Sequence, residues 1–76
     1  MRQDAALLIQ VGTALFGETT WRAAVGRLVG RQRGQVSNWA AGREPVPPDV
    51  LPRLLAAVDA RIAVLRTAKA ALRDAA

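Results

Sequence analysis

A run of polar side chains near the middle of the chain carries the clearest chemistry. Val36 and Trp39 have the i, i+3 spacing of one helix face, which we expect to be buried. Arg33, Gln35 and Asn38 then fall on the opposite face, away from the protein. Guanidinium and carboxamide groups present paired hydrogen-bond donors and acceptors, which match the edges of nucleic-acid bases. The run therefore indicates recognition of a ligand by hydrogen bonding.

Positive charge is concentrated around the same run. The 76 residues include 11 Lys and Arg against 6 Asp and Glu, for a formal net charge of +5. Between Thr19 and Arg43 there is no acidic residue, and the arginines there are Arg22, Arg27, Arg31, Arg33 and Arg43. A basic block in an otherwise balanced chain is typical of a protein that binds a polyanion. A solvated face that only maintains solubility would have the same composition, so charge alone leaves both interpretations open.

Composition excludes several other classes of function. The chain has no Cys and no His, which removes disulfides, thiol catalysis and the common zinc-ligand sets. Its carboxylates are not clustered, so we expect no enzyme, no metal site, no cofactor and no small-molecule substrate. The longest apolar runs are five residues, far short of the roughly 20 that span a bilayer. Without a signal-peptide pattern either, the expected location is the cytoplasm.

Apolar periodicity predicts the elements that position the polar run. It indicates an all-α fold, a single small helix-turn-helix domain over residues 1–76 with about four helices and a long C-terminal one. The predicted helices span residues 3–16, 32–41 and 49–75, with a second helix that begins after one of residues 18–20 and ends at Gly30. Glu18, Thr19 and Thr20 are the candidates for the N-cap of the second helix, where a Thr is expected to accept a hydrogen bond from a backbone N–H group of the first turn. Pro45, Pro47 and Pro48 exclude a helix between the third and fourth elements.

Glycines predict how the second and third helices meet within residues 20–42. Gly26 supplies the small side chain that two closely crossing helices require, and Gly30 allows a positive φ in a short turn between them. Gly17 and Gly42 are expected to end the first and third helices. Both tryptophans lie on apolar stripes, so we expect them in the core and not as stacking platforms for bases.

This segment resembles the helix-turn-helix of phage-repressor-like regulators, those of the Cro and lambda-repressor type. The residues that carry the resemblance are Gly26, Gly30, Val36, Ser37, Trp39 and Gly42, with the exit at residues 43–47 also similar. The similarity extends from Trp21 to about Leu55, and it differs from the family's usual pattern at Arg31, where an apolar residue is common. The resemblance implies a sequence-specific DNA-binding transcription regulator, a dimeric repressor that inserts the 32–41 helix into the major groove.

The resemblance also implies roles for individual residues. Base-reading positions fall on Gln32, Arg33, Gly34, Gln35 and Asn38. Arg33 suits a guanine, and Asn38 or Gln35 suits an adenine. Phosphate contacts fall on Arg22, Ser37 and Arg43, although Ser37 is equally suited to be a small residue at the helix crossing. Arg27 and Arg31 are expected only to add to the positive field.

The C-terminal helix contains a heptad pattern with one polar residue in it. Its members alternate by steps of four and three: Leu51, Leu55, Val58, Ile62, Leu65, Lys69 and Leu72. Near its start, with Leu54, the helix is expected to close the core, but beyond about Ile62 it outruns so small a domain. Dimerisation through Val58, Ile62, Leu65 and Leu72 is the favoured interpretation, and folding back on the first helix is the alternative. An antitoxin or adaptor-type protein-interaction module remains the alternative function.

Overall fold

The computed structural model describes the backbone of residues 2–76 and the side chains from residue 4 onward. Over these residues the chain forms the helices α1 (Arg2–Phe16), α2 (Trp21–Val29), α3 (Arg33–Ala40) and α4 (Val50–Ala75), and no strand. The all-α fold with a long last helix is therefore confirmed, and the bounds predicted for α1, α3 and α4 lie within one residue of those observed. None of the helices in this described part has the length and hydropathy that crossing a bilayer requires.

Glycines end the first three helices. Gly30 has φ 72° and ψ 33°, in the left-handed region that a side chain with a Cβ disfavours, and its N–H donates to the carbonyl of Gly26. Gly17 and Gly42 also have positive φ values, of 89° and 78°. The three helix ends predicted from glycine alone are therefore correct.

Thr20 occupies the N-cap position of α2, but its hydroxyl acts differently from the prediction. Its Oγ1 donates a hydrogen bond to the carbonyl of Phe16, with an O···O distance of 2.7 Å, and it accepts none from α2. The hydroxyl thus satisfies a carbonyl at the C-terminal end of α1, where the last helix carbonyls have no partner inside the helix. The tight turn between α1 and α2 brings this carbonyl within reach of Thr20.

The core is assembled from all four helices. Its buried side chains are Leu8, Trp21, Val25, Val29, Val36, Trp39, Val50 and Leu54. Both tryptophans are in this core, as predicted from their positions on apolar stripes. Only the first two turns of α4 contribute to it, and every residue from Asp59 to the end of the chain is exposed.

An ion pair fixes the start of α4 against the turn between α2 and α3. The guanidinium of Arg31 donates to both carboxylate oxygens of Asp49, at 2.8 and 3.2 Å, and also to the carbonyl of Val29 at 3.0 Å. Arg53 approaches the same carboxylate, with Nε 3.3 Å from Oδ2. The expectation that Arg31 only adds to the field is therefore wrong, because its charge is neutralised locally by Asp49.

Hydrogen bonding to Arg31 is the main reason that the pKa of Asp49 lies below its ordinary value, and the same contact raises the pKa of Arg31. Both side chains are about one-third exposed, so the pair lies at the edge of the core and not inside it. Arg31 occupies the position where the phage-repressor-like pattern commonly has an apolar residue, and here its side chain forms this ion pair.

The remainder of α4 projects from the body of the protein. The helix has 26 residues, about 39 Å at 1.5 Å per residue, and the molecule measures 48 × 22 × 20 Å. Packing against α1 ends near Arg61, whose Nη2 donates to the carbonyl of Leu15 at 3.0 Å. In the single chain, therefore, α1 does not cover α4 beyond this point, and the fold-back alternative does not account for the later apolar residues.

Candidate nucleic-acid interface

The absence of a side chain at Gly26 sets the position of α3 relative to α2. A Cβ at this residue would lie 2.6 Å from the carbonyl oxygen of Arg31 and 3.5 Å from the backbone nitrogen of Arg33. The Arg31 N–H donates to the carbonyl of Gly26 at 2.8 Å, so the turn is also bonded to α2 through its backbone. The close approach predicted at Gly26 is confirmed, and even the methyl group of an alanine would displace the start of α3.

Two buried side chains orient α3. Val36 and Trp39 face the core, whereas Gln32, Arg33, Gly34 and Gln35, at the start of the helix, are all exposed. We call these four consecutive residues the α3 N-terminal face. Gln32 has extended φ and ψ values of −78° and 153° at the N-cap, and its side chain makes no capping hydrogen bond. The face therefore combines exposed donors and acceptors with the positive end of the helix dipole.

Gly34 has a different environment from Gly26. A Cβ at Gly34 would meet no atom within 4 Å, and its φ is not positive. Neither packing nor backbone conformation therefore requires glycine at this position. The missing side chain leaves the backbone of α3 open to close approach from outside the protein.

Asn38 is less exposed than the α3 N-terminal face. It is half-buried, and its Oδ1 accepts a hydrogen bond from Nη1 of Arg43 at 3.2 Å. Its backbone carbonyl accepts from the N–H groups of Arg43 and Glu44, at 2.9 and 3.4 Å. Asn38, a predicted base contact, is thus hydrogen-bonded to Arg43, a predicted phosphate contact, and this bond orients the side-chain amide of Asn38.

Arg22, the other predicted phosphate contact, is held by an aromatic ring. Its Cζ lies 4.8 Å from the centroid of the Trp21 ring, a cation–π geometry, and the residue is half-buried at the start of α2. Ser37 is also half-buried. Its place between the buried Val36 and the half-buried Asn38 fits a small residue in the packing as well as it fits a phosphate contact.

Acidic side chains lie beside the C-terminal end of α3. A groove of about 480 Å³ is lined there by Asp4 and Glu44 together with Arg43, Trp39 and Val46. These two carboxylates offset the charge of Arg43, whereas no acidic residue lies between residues 19 and 43. At the other end of α3, Asp49 neutralises Arg31 in the preceding turn, and Arg33 forms no ion pair with the residues that the structure describes.

The sequence analysis missed Asp49 and the partners of Arg22 and Arg43. Asp49 is visible in the sequence as an acid beside a helix start, but its partner Arg31 is 18 residues earlier, in the turn between α2 and α3. No comparable signal identified the contact between Arg43 and Asn38, because it depends on how the chain leaves α3.

Comparison of the chain with protein-family models, with curated proteins and with solved structures found no match. The resemblance to phage-repressor-like regulators therefore remains a prediction from the motif. A function has to be assigned from the chemistry and the geometry of the residues described above.

Proposed function

We propose that this protein is a sequence-specific DNA-binding transcription regulator of the cytoplasm, a dimeric repressor that inserts α3 into the major groove. The observation that carries the proposal is the α3 N-terminal face, four consecutive exposed residues on a helix anchored by Val36 and Trp39. The major groove of B-DNA admits an α-helix, and each base pair there presents a distinct set of donors and acceptors. A helix that is held in one orientation, and whose Gln32 side chain is not used to cap it, suits that kind of recognition.

Within this face, Arg33 is proposed to donate two hydrogen bonds to a guanine, through O6 and N7. Gln35 and Gln32 carry amides suited to an adenine, and Gly34 lets the helix backbone approach the bases. Asn38 is proposed as a more restricted reader, because its Oδ1 already accepts from Arg43.

Arg22 and Arg43 are proposed to hold phosphates on either side of the groove, with Ser37 as a further contact. Both arginines are oriented by neighbours, one by the ring of Trp21 and the other by Asn38. Such contacts fix the register of a helix on DNA and add affinity without reading sequence. A bound dimer could repress a promoter simply by occupying the DNA that a polymerase needs.

The experiment that tests the proposal is selection of bound sequences from random duplex DNA at two salt concentrations. We expect an enriched palindrome with half-sites about 34–36 Å apart, one turn of the double helix. Arg33→Ala should reduce discrimination at one base pair by roughly 1–3 kcal/mol. Arg27→Ala is the matched control, since it removes another exposed arginine that lies outside the α3 N-terminal face.

Arg43→Ala should weaken binding to all sequences alike. It should also reduce the slope of log affinity against log salt concentration by about 1, as expected for the loss of one phosphate contact. Asn38→Ala separates the two linked roles, because it removes the acceptor of Arg43 and leaves the arginine in place. Equal effects of Arg33→Ala on selected and scrambled DNA would show that Arg33 does not read a base. Binding without any enriched sequence would reduce the protein to a non-specific DNA binder.

A second candidate function is an antitoxin or adaptor-type module that holds a protein partner. The observation that favours it is the exposure of Leu65 and Leu72 on a projecting helix. The two functions differ in what the isolated protein does in solution. A chain that stays monomeric and selects no DNA sequence would support the interaction module.

A further inference from the structure

The α4 helix presents an apolar stripe, most of which nothing in the single chain covers. Leu55, Ile62, Leu65 and Leu72 are 62%, 40%, 57% and 72% exposed. With Val58 and Lys69 they form one heptad stripe, which we call the α4 seam. An exposed seam of this length is typical of a helix that pairs with another helix.

We propose that the α4 seam pairs with the α4 seam of a second copy, with the two helices antiparallel. In the proposed register, Leu55 faces Leu72 of the second copy and Ile62 faces its Leu65. The pairing specifies the dimer of the proposed function, but it does not depend on DNA. The charges that flank the seam decide the orientation.

A parallel pair of these helices would bring like charges together. In parallel coiled coils equivalent core positions face one another, so Lys69 would face Lys69 of the second copy at the seam itself. Arg61 directly precedes the seam residue Ile62 (position g of the heptad), and Arg66 directly follows the seam residue Leu65 (position e). A parallel pair would place Arg61 beside Arg66 of the second copy, once on each side of the dimer. Like charges at these sites are destabilising, and no acidic residue of the seam's flanks offsets them in this orientation.

The antiparallel pair removes both conflicts. Flanking e positions then face each other, and Asp59 lies beside Arg66 of the second copy twice, with both pairs on the same flank of the dimer. Arg61 faces Ala68, and Lys69 faces Val58, where its stem can cover apolar surface while the ammonium reaches water. The charges that flank the seam are therefore complementary only when the two helices are antiparallel.

A groove between α1 and α4 lies where the antiparallel register places the end of the second helix. It has a volume of about 310 Å³ and is lined by Leu7, Val11, Leu51, Leu54, Leu55 and Val58. Leu7 is 45% exposed in the single chain. Since Leu72 of the second copy faces Leu55, the last turns of its α4 would cover this apolar groove.

The register also fixes the distance between the two DNA-binding units. The two Val50 residues, where each α4 leaves its domain, would be about 40 Å apart along the paired helices at 1.5 Å per residue. Successive major grooves on one face of DNA are about 34–36 Å apart. The separation of these two points is of the same order as the spacing of two half-sites one turn apart.

The test uses cysteine cross-linking of the full chain without DNA, because the protein has no cysteine of its own. Leu55→Cys and Leu72→Cys are prepared separately and then incubated alone or as a mixture in a glutathione redox buffer. We expect a disulfide-linked dimer from the mixture and none above background from either variant alone. Val64→Cys mixed with Leu72→Cys is the matched control, since Val64 is 63% exposed but lies off the seam. Circular dichroism verifies that each variant keeps its helix content.

Charge reversal provides a second measurement, by sedimentation equilibrium. Asp59→Arg and Arg66→Asp should each weaken dimerisation by roughly tenfold, because each places two like-charge pairs in the dimer. The double variant should restore most of the loss, since it exchanges the two charges.

Cross-linking of Leu72→Cys with itself would overturn the proposal in favour of a parallel pair, and a chain that remains monomeric near 1 mM would overturn it altogether. Failure of the pairing is distinguishable from failure of DNA binding. Pairing of the helices is measured without DNA, whereas DNA binding is measured by whether selection from random duplex DNA enriches a half-site.

Discussion

The helix-turn-helix unit, residues 20–42, and the distal part of α4, residues 59–75, are both helical and both rich in Arg and Ala, yet they are organised differently. Trp21, Val25, Val36 and Trp39 bury the first region against the rest of the chain, and Gly26 permits a backbone contact that no other residue would allow. In the second region every residue is exposed. Within the single chain its helix depends on local propensity, which its six alanines favour.

The difference indicates two separate tasks. The first region holds a surface rigidly in one orientation, as recognition by hydrogen bonding requires. The second leaves apolar surface exposed in the single chain, which the proposed pairing of two α4 helices would cover. Mutations of the same chemical type in the two regions should therefore have unlike effects on stability.

The largest contrast is expected between two large apolar residues. Trp39 is 2% exposed, so Trp39→Ala should lower the free energy of unfolding by about 3–5 kcal/mol. Leu65→Ala removes an exposed side chain and should change it by less than about 0.5 kcal/mol. The measurement is urea denaturation at a protein concentration that keeps the chain monomeric. Similar losses for the two variants would mean that the distal helix packs on the domain.

The second contrast is between two glycines in neighbouring helices. Gly26→Ala should lower the free energy of unfolding by about 1–2 kcal/mol. Moving the Arg31 carbonyl out of the way outweighs the roughly 1 kcal/mol by which alanine favours a helix. Gly34→Ala meets no neighbour and should instead raise the free energy of unfolding by up to about 1 kcal/mol.

Both glycine variants are measured by thermal and urea denaturation, and the opposite signs are the test. Stabilisation by Gly26→Ala would show that the turn can move away from α2 without strain. If Gly34 serves close approach to DNA, the more stable Gly34→Ala protein should bind DNA less tightly, which separates its role from folding.

The smallest effect concerns the ion pair at the boundary of the two regions. Because Arg31 holds the pKa of Asp49 below its ordinary value, ionised Asp49 contributes stability that is fully present above about pH 4. That contribution is lost as the pH falls through the lowered pKa of the folded state. Asp49→Asn should reduce stability at pH 7 and flatten this part of the acid unfolding curve. Asp74→Asn, exposed at the end of α4, is the control that should leave the curve unchanged.

The helices and the core were largely predictable from the sequence. Val36 and Trp39 were assigned to the core from spacing alone, and Gly30 was assigned a positive φ from its place between two helices. These features depend on local periodicity and on backbone sterics, which neighbouring residues determine. The exposure of Arg33 and Gln35 on α3 was also predicted from its apolar spacing.

Contacts between side chains were much less predictable. Thr20 was expected to bond to α2 and bonds to α1 instead, and Arg31 was expected to add only to the field. Asn38 was expected to be as accessible as Arg33, yet it is half-buried and bonded to Arg43. Each of these outcomes depends on the exact path of a turn, which residue type and spacing do not specify.

Residue order alone therefore determined the number of helices, their ends, the apolar faces and the basic block around α3, because each follows from short-range periodicity, backbone sterics and charge. The tertiary structure decided which polar groups remain available and which are used internally, because that depends on distances between residues far apart in the chain, such as Arg31 and Asp49. It also decided that the core ends at Leu54 and that the rest of α4 projects, since α1 is too short to cover it.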